Sequence, residues 1–94
     1  MPEVLFRVRW PDESLHRCYS PSTVVEEYFA PGGVYPVAEF VTLSRKALTA
    51  ASERVREIHG FSCTRAAAQL ADIERRAERF TAEGARVVVE GFER

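Results

Sequence analysis

The chain has 94 residues, with 13 basic and 14 acidic side chains for a formal charge of −1, and 46% of its residues are apolar against 29% charged. These values exclude a highly charged disordered chain, and they leave no overall positive field to draw nucleic acid or anionic lipid to the surface. A chain this short has room for one hydrophobic core, so residues 1–94 are read as a single domain.

Met1-Pro2-Glu3 offers neither the charged start nor the apolar run of a signal peptide. No stretch approaches the ~20 apolar residues of a membrane span. The expectation is a cytoplasmic protein with no membrane or nucleic-acid partner. Two cysteines, Cys18 and Cys63, fall far short of a disulfide framework and read as reduced, partly buried thiols.

Val4, Phe6, Val8 and Trp10 alternate with Glu3, Leu5, Arg7 and Arg9, the period of a strand with one buried face. Pro11-Asp12-Glu13-Ser14 supplies turn chemistry, and Leu15-His16-Arg17-Cys18-Tyr19 returns antiparallel as a second strand. Glu13 stands where Gly would suit a left-handed turn, and a slip of one residue exchanges the faces of Arg17 and Cys18. Both registers stay open.

Ser20-Pro21 places a capping hydroxyl before a proline suited to a first helical position, while Thr23 with Glu26 forms an alternative capping box. A helix is predicted through Val24, Val25, Tyr28 and Phe29, ending at the turn residues Ala30-Pro31-Gly32-Gly33. From Pro36 to His59, Val37, Val41, Ser44, Leu48, Ala51, Val55 and Ile58 repeat at helical spacing, with Phe40 and Ala47 widening the stripe. Gly60 closes that long helix, and Ser62 can cap another in which Cys63, Ala66, Leu70, Ile73, Ala77 and Phe80 repeat the pattern. Ala66, Ala67, Ala68 and Ala71 allow a close helix approach, and Asp72 with Arg76 reads as an exposed ion pair one turn apart.

Gly84 ends the last helix, and Arg86-Val87-Val88-Val89-Glu90-Gly91-Phe92 reads as a final strand that pairs with the first. The predicted fold class is α+β in the order β-β-α-α-α-β: a three-stranded, antiparallel-type sheet packed against a long antiparallel helical hairpin. The Pro36–His59 helix would run roughly 36 Å, against a radius of gyration of about 12 Å for a compact chain of this size. Its ends, or an outer flank carrying Phe40 and Leu43, would then offer apolar surface to a second subunit, and a homodimer is expected.

Several clusters invite a chemical reading. His16, Cys18, His59 and Cys63 are the inventory of a tetrahedral zinc site, but neither spacing matches the usual zinc patterns, and buried thiols with surface histidines explain them as well. Cys63 falls at a helix start, where a thiolate is favoured, but no histidine or acid can be assigned to it, and its place in an apolar stripe reads as core. Tyr19-Ser20-Pro21-Ser22-Thr23 has the hydroxyls and free N–H groups of an anion site, which ordinary capping also accounts for. Pro31-Gly32-Gly33 matches no phosphate-loop fingerprint and reads as a turn. Arg7, Arg9 and Arg17 could align on the outer sheet face, as in RNA-binding modules, though no aromatic interleaves with them.

Four strings carry a family resemblance: Phe6-Arg7-Val8-Arg9-Trp10-Pro11-Asp12, Cys18-Tyr19-Ser20-Pro21-Ser22, Tyr35-Pro36-Val37-Ala38-Glu39-Phe40, and Leu48-Thr49-Ala50-Ala51-Ser52-Glu53-Arg54-Val55. Over nearly its whole length the chain resembles a family of small bacterial proteins named for a nitrogen starvation response. The resemblance implies a gene cluster with a nitrilase, a radical SAM protein, an acetyltransferase-like protein and a flavoprotein, linked to nitrogen assimilation from cyanide or nitriles. It carries over no catalytic residue, and neither a cofactor nor a metal is expected. The shared strings fall at the end of the second strand, the first helix start and the loop before the long helix, so Cys18, Tyr19, Ser20, Tyr35 and Glu39 are the candidate ligand-binding residues if these segments converge. The resulting expectation is an accessory or regulatory binding protein with an enzyme partner from the same cluster. The alternative is a small enzyme or ligand-binding protein with its site at that corner.

Overall fold

In the computed structural model, which describes residues 3–60 and 64–94, the alternating N-terminal segment forms β1 (Val4–Arg9) and turns back as β2 (Leu15–Ser20). The hairpin loop is a tight turn followed by one left-handed residue: the Glu13 N–H donates to the Trp10 carbonyl at 2.9 Å, and Glu13 itself sits at φ 72°. The Asp12 carboxylate accepts from the Ser14 N–H at 3.0 Å and from its hydroxyl at 2.6 Å, which holds the loop in place of a glycine. Phe6 pairs with Cys18 and Arg7 with Arg17, so Cys18 faces the core and Arg17 faces solvent.

The predicted first helix is a single 3-10 turn, Thr23–Glu27. Its β-branched residues Thr23, Val24 and Val25 disfavour a helix, and the segment is too short to repay helix nucleation before the Ala30–Gly33 turn. The cap is Ser22, whose hydroxyl accepts from the Val24 N–H at 3.2 Å, rather than Ser20 or Thr23. Ser20 instead donates its hydroxyl to the Ser22 carbonyl at 2.7 Å.

A strand follows where only a turn was expected. Pro31 and Gly32 take the two central turn positions, with Gly32 at φ 80°, and the Gly33 N–H closes onto the Ala30 carbonyl at 2.9 Å. The next residues form β3 (Gly33–Pro36). Val34 and Tyr35 favour extended backbone, and Pro36 restricts Tyr35 to it while ending the strand. Next come α1 (Val37–His59), α2 (Thr64–Ala77) and β4 (Arg86–Glu93). The sheet order is β2-β1-β4-β3, every pair antiparallel. The expected three strands and three helices are therefore corrected to four strands and two α-helices. A strand of four residues is too brief to show alternation, and its glycine and proline read as punctuation.

Both helices cover one face of the sheet. Val37, Phe40, Ala47, Leu48 and Ala51 of α1 and Ala66 and Ile73 of α2 are buried, as are Phe6, Val8, Val87 and Val89 on the inner sheet face. Burying a side chain such as Phe40 contributes roughly 1.5–3 kcal/mol. Phe40 thus belongs to the core and not to an outer flank, and Leu43 packs partly buried against that core. Gly60 at φ 81° ends α1, its N–H donating to the Arg56 carbonyl at 2.7 Å. The expected caps Ser62 and Cys63 lie outside the described residues. α2 stops at Ala77 rather than running on to Gly84, because the Arg79 and Phe80 N–H groups tighten onto the Arg76 and Ala77 carbonyls at 3.1 and 3.0 Å. Among the described residues no helix is long and apolar enough to cross a membrane.

Gly33 is needed for close packing: a Cβ there would lie 2.6 Å from the Tyr35 hydroxyl and 2.9 Å from the Ala30 carbonyl oxygen. Gly33→Ala should lower stability by roughly 1–3 kcal/mol in urea denaturation. No measurable change would contradict this packing.

Candidate functional site

Trp10, one residue past β1, packs edge-on against Phe40 of α1, with ring centroids 5.5 Å apart, and stacks on Phe80 beyond α2 at 5.7 Å. Its indole N–H donates to His16 Nδ1 at 3.3 Å. An accepting Nδ1 carries no proton, which assigns the imidazole proton to Nε2, 3.1 Å from Asp72 Oδ2 on α2. Arg75 and Arg76 reach Asp72 at 2.9 and 3.3 Å. The expected Asp72–Arg76 pair is present, and the same carboxylate also turns to His16. Gln69, one turn earlier, accepts from the Tyr19 N–H at 2.9 Å and so occupies a backbone donor on the outer edge of β2.

Cys18 Sγ lies 3.5 Å from His16 Nδ1, since residues two apart on a strand share a face. Cys18, His16 and Asp72 thus stand in the order of a nucleophilic triad. Their environment works against that chemistry. Cys18 is fully buried, and burial pushes its thiol far above the ordinary value, so the nucleophilic thiolate is not populated. Burial also pulls His16 below its usual pKa, Arg76 adds to the effect, and together they outweigh the opposing influence of Asp72. The imidazole is neutral at pH 7, and the cluster braces the edge strand β2 against α2.

The sequence-derived site residues divide between the two edges of the sheet. Cys18 and Ser20 point into the core, whereas Tyr19 lies on the outer face with the Arg65 guanidinium 3.8 Å above its ring. Tyr35 is on β3, its hydroxyl accepting from the Ala30 N–H at 3.0 Å and its ring edge-on to Phe29 at 5.5 Å. Glu39 is exposed in the first turn of α1. Tyr19 aligns through Leu5 with Glu93, while Tyr35 aligns with Val87. The two tyrosines are therefore separated by three interstrand spacings, roughly 14 Å, and by about 20 Å along the strands. The structure joins Cys18 to Trp10, His16 and Asp72, and it does not bring Tyr19 and Ser20 to Tyr35 and Glu39.

The zinc inventory is likewise dispersed: both His16 nitrogens are engaged, His59 lies at the exposed end of α1, and Cys63 is outside the described residues. Among the described residues no group of three or more His, Cys, Asp and Glu side chains could hold a metal ion. Arg7, Arg9 and Arg17 do share the outer sheet face, where their charges are met by Glu90 and Glu93.

A groove of about 700 Å³ opens where the start of α1, the end of α2 and the following loop meet. Val37, Val41, Ala77, Phe80 and Ala85 make an apolar wall, while Glu78 and Glu83 stand at its border. The Arg45–Glu74 ion pair, at 2.7 Å, closes one side. Reading residues 78–83 as helix hid this groove. The cue for a loop there was Thr81-Ala82-Glu83-Gly84, which lacks a large apolar residue to continue the stripe.

The fold and the site define a small α+β domain: an antiparallel sheet covered on one face by a helical hairpin, with an apolar groove at the α2–β4 corner. No curated protein and no solved structure matches the chain. The family model of the nitrogen starvation-induced protein NitG matches residues 5–92, and the chain belongs to that family.

The His16 cluster makes stability depend on pH with a definite sign. His16 titrates near 6.5 in the unfolded chain and lower in the fold, so the unfolded state takes up the proton first. Stability is fully present above that value and falls as pH drops below it, by at most about 1.4 kcal/mol per pH unit. Urea denaturation of the wild type and His16→Gln should show a stability difference that shrinks between neutral pH and pH ~5. A difference independent of pH would contradict the neutral, buried imidazole.

Proposed function

We propose that this protein is an accessory or regulatory binding protein of the nitrogen starvation response, acting with an enzyme that assimilates nitrogen from nitriles or cyanide. Family membership supports the starvation setting. The resemblance to proteins encoded beside a nitrilase supports the finer pathway. The observation that carries a binding role is a contrast. The apolar groove at the α2–β4 corner is open to a partner, whereas the Cys18–His16–Asp72 constellation is buried with its thiol protonated.

A groove with apolar walls and a mostly acidic border suits a partner segment that presents an apolar residue flanked by basic ones. The test is a direct binding measurement between the purified protein and each purified enzyme of the cluster, nitrilase first, with Val41→Asp as the groove variant. One enzyme should bind, and Val41→Asp should weaken it roughly tenfold or more while leaving the circular dichroism spectrum unchanged. Binding of none of them, or stabilisation of the protein by a free nitrile instead, would overturn the partner-protein reading.

A further inference from the structure

We propose that the uncovered face of the sheet is a self-association surface, on which a second copy of this chain packs about a two-fold axis running along the strands. Both helices lie on the other face, and among the described residues no element packs over this one, the Arg65 side chain reaching only Tyr19 at its β2 edge. Of the three exposed large hydrophobic side chains among the described residues, two stand here: Leu15 on β2 at 63% exposure and Val34 on β3 at 55%. They occupy opposite edges of one cross-sheet row, Leu15–Arg9–Val88–Val34.

The charges favour a second copy over an unrelated partner. Arg7, Arg9 and Arg17 all lie on the β1–β2 half of the face, while Glu90 and Glu93 lie on the β4 half with the exposed Arg86, and ion pairs join the two halves within each chain. An axis along the strands inverts the strand order of the second copy, so that β2 of one faces β3 of the other. The three arginines of each then lie over the half of its mate that carries Glu90, Glu93 and Arg86, and Leu15 meets Val34. Self-complementarity of this kind is what a two-fold interface requires. With strands about 4.8 Å apart and about 20 Å long, two such faces remove on the order of 1,000 Å² from water. That area lies at the lower bound of specific interfaces, so the dimer is reversible and weakened by salt.

Sedimentation equilibrium of the full chain over a range of concentrations tests association, and disulfide trapping tests the axis. In a Cys63→Ser background, Leu15→Cys chains mixed with Val34→Cys chains should give covalent mixed dimers on oxidation, while either variant alone gives few. The wild type should be in monomer–dimer equilibrium, with association reduced roughly tenfold by Val34→Asp. A wild type that remains monomeric at all concentrations would overturn the proposal. So would Leu15→Cys trapping chiefly with itself, or a dimer indifferent to Val34→Asp.

Discussion

The structure depends on one long-range pairing. The last strand, β4, lies between β1 and β3, and it is the element that joins the N-terminal hairpin to the edge strand. Without it, β3 has no hydrogen-bonding partner and β1–β2 is a lone hairpin, marginal in water. Phe6 and Val8 on β1 and Val87 and Val89 on β4 are all fully buried, so the two central strands carry the inner floor of the core. Closing this pair brings opposite ends of the chain together, a slow step for loop-closure reasons and one that commits the whole sheet.

The same pairing positions the functional features. Its register shifts between Arg7 and Val8, leaving Glu90 as the extra residue of β4, and the Glu90 carboxylate reaches Arg9 at 2.7 Å. The chain must approach β4 from the end of α2, which places residues 78–85 beside the start of α1 and opens the apolar groove there. The Val37 N–H donates to the Ala85 carbonyl at 3.2 Å, tying that corner together. With both helices on one side, the opposite sheet face stays uncovered. Groove and open face are thus two outcomes of one topology.

Much of this was legible where pattern length allowed it. The alternation of Val4, Phe6, Val8 and Trp10 specified β1, and the helical spacing from Val37 to Ile58 specified α1 to within a residue of its observed start. The shared strings identified the starvation-response family. The hairpin register could not be read, because Arg17 and Cys18 exchange faces on a one-residue slip, and only pairing with Phe6 decides between them. β3 was missed because its four residues carry a glycine and a proline. With β3 on the far edge, Tyr35 and Glu39 do not converge with Tyr19 and Ser20. The His16–Asp72 contact links residues far apart in sequence, and no local rule reveals it. Strand alternation does place His16 and Cys18 on one face, a cue that pointed inward to the core.

Native-state hydrogen exchange tests the central pairing most directly. Amides within β1 and β4 should exchange only by global unfolding, at one common opening free energy, while those of β2, β3 and the 3-10 turn open at lower cost. Exchange of β4 as a fraying terminus, at opening energies well below those of β1, would contradict it.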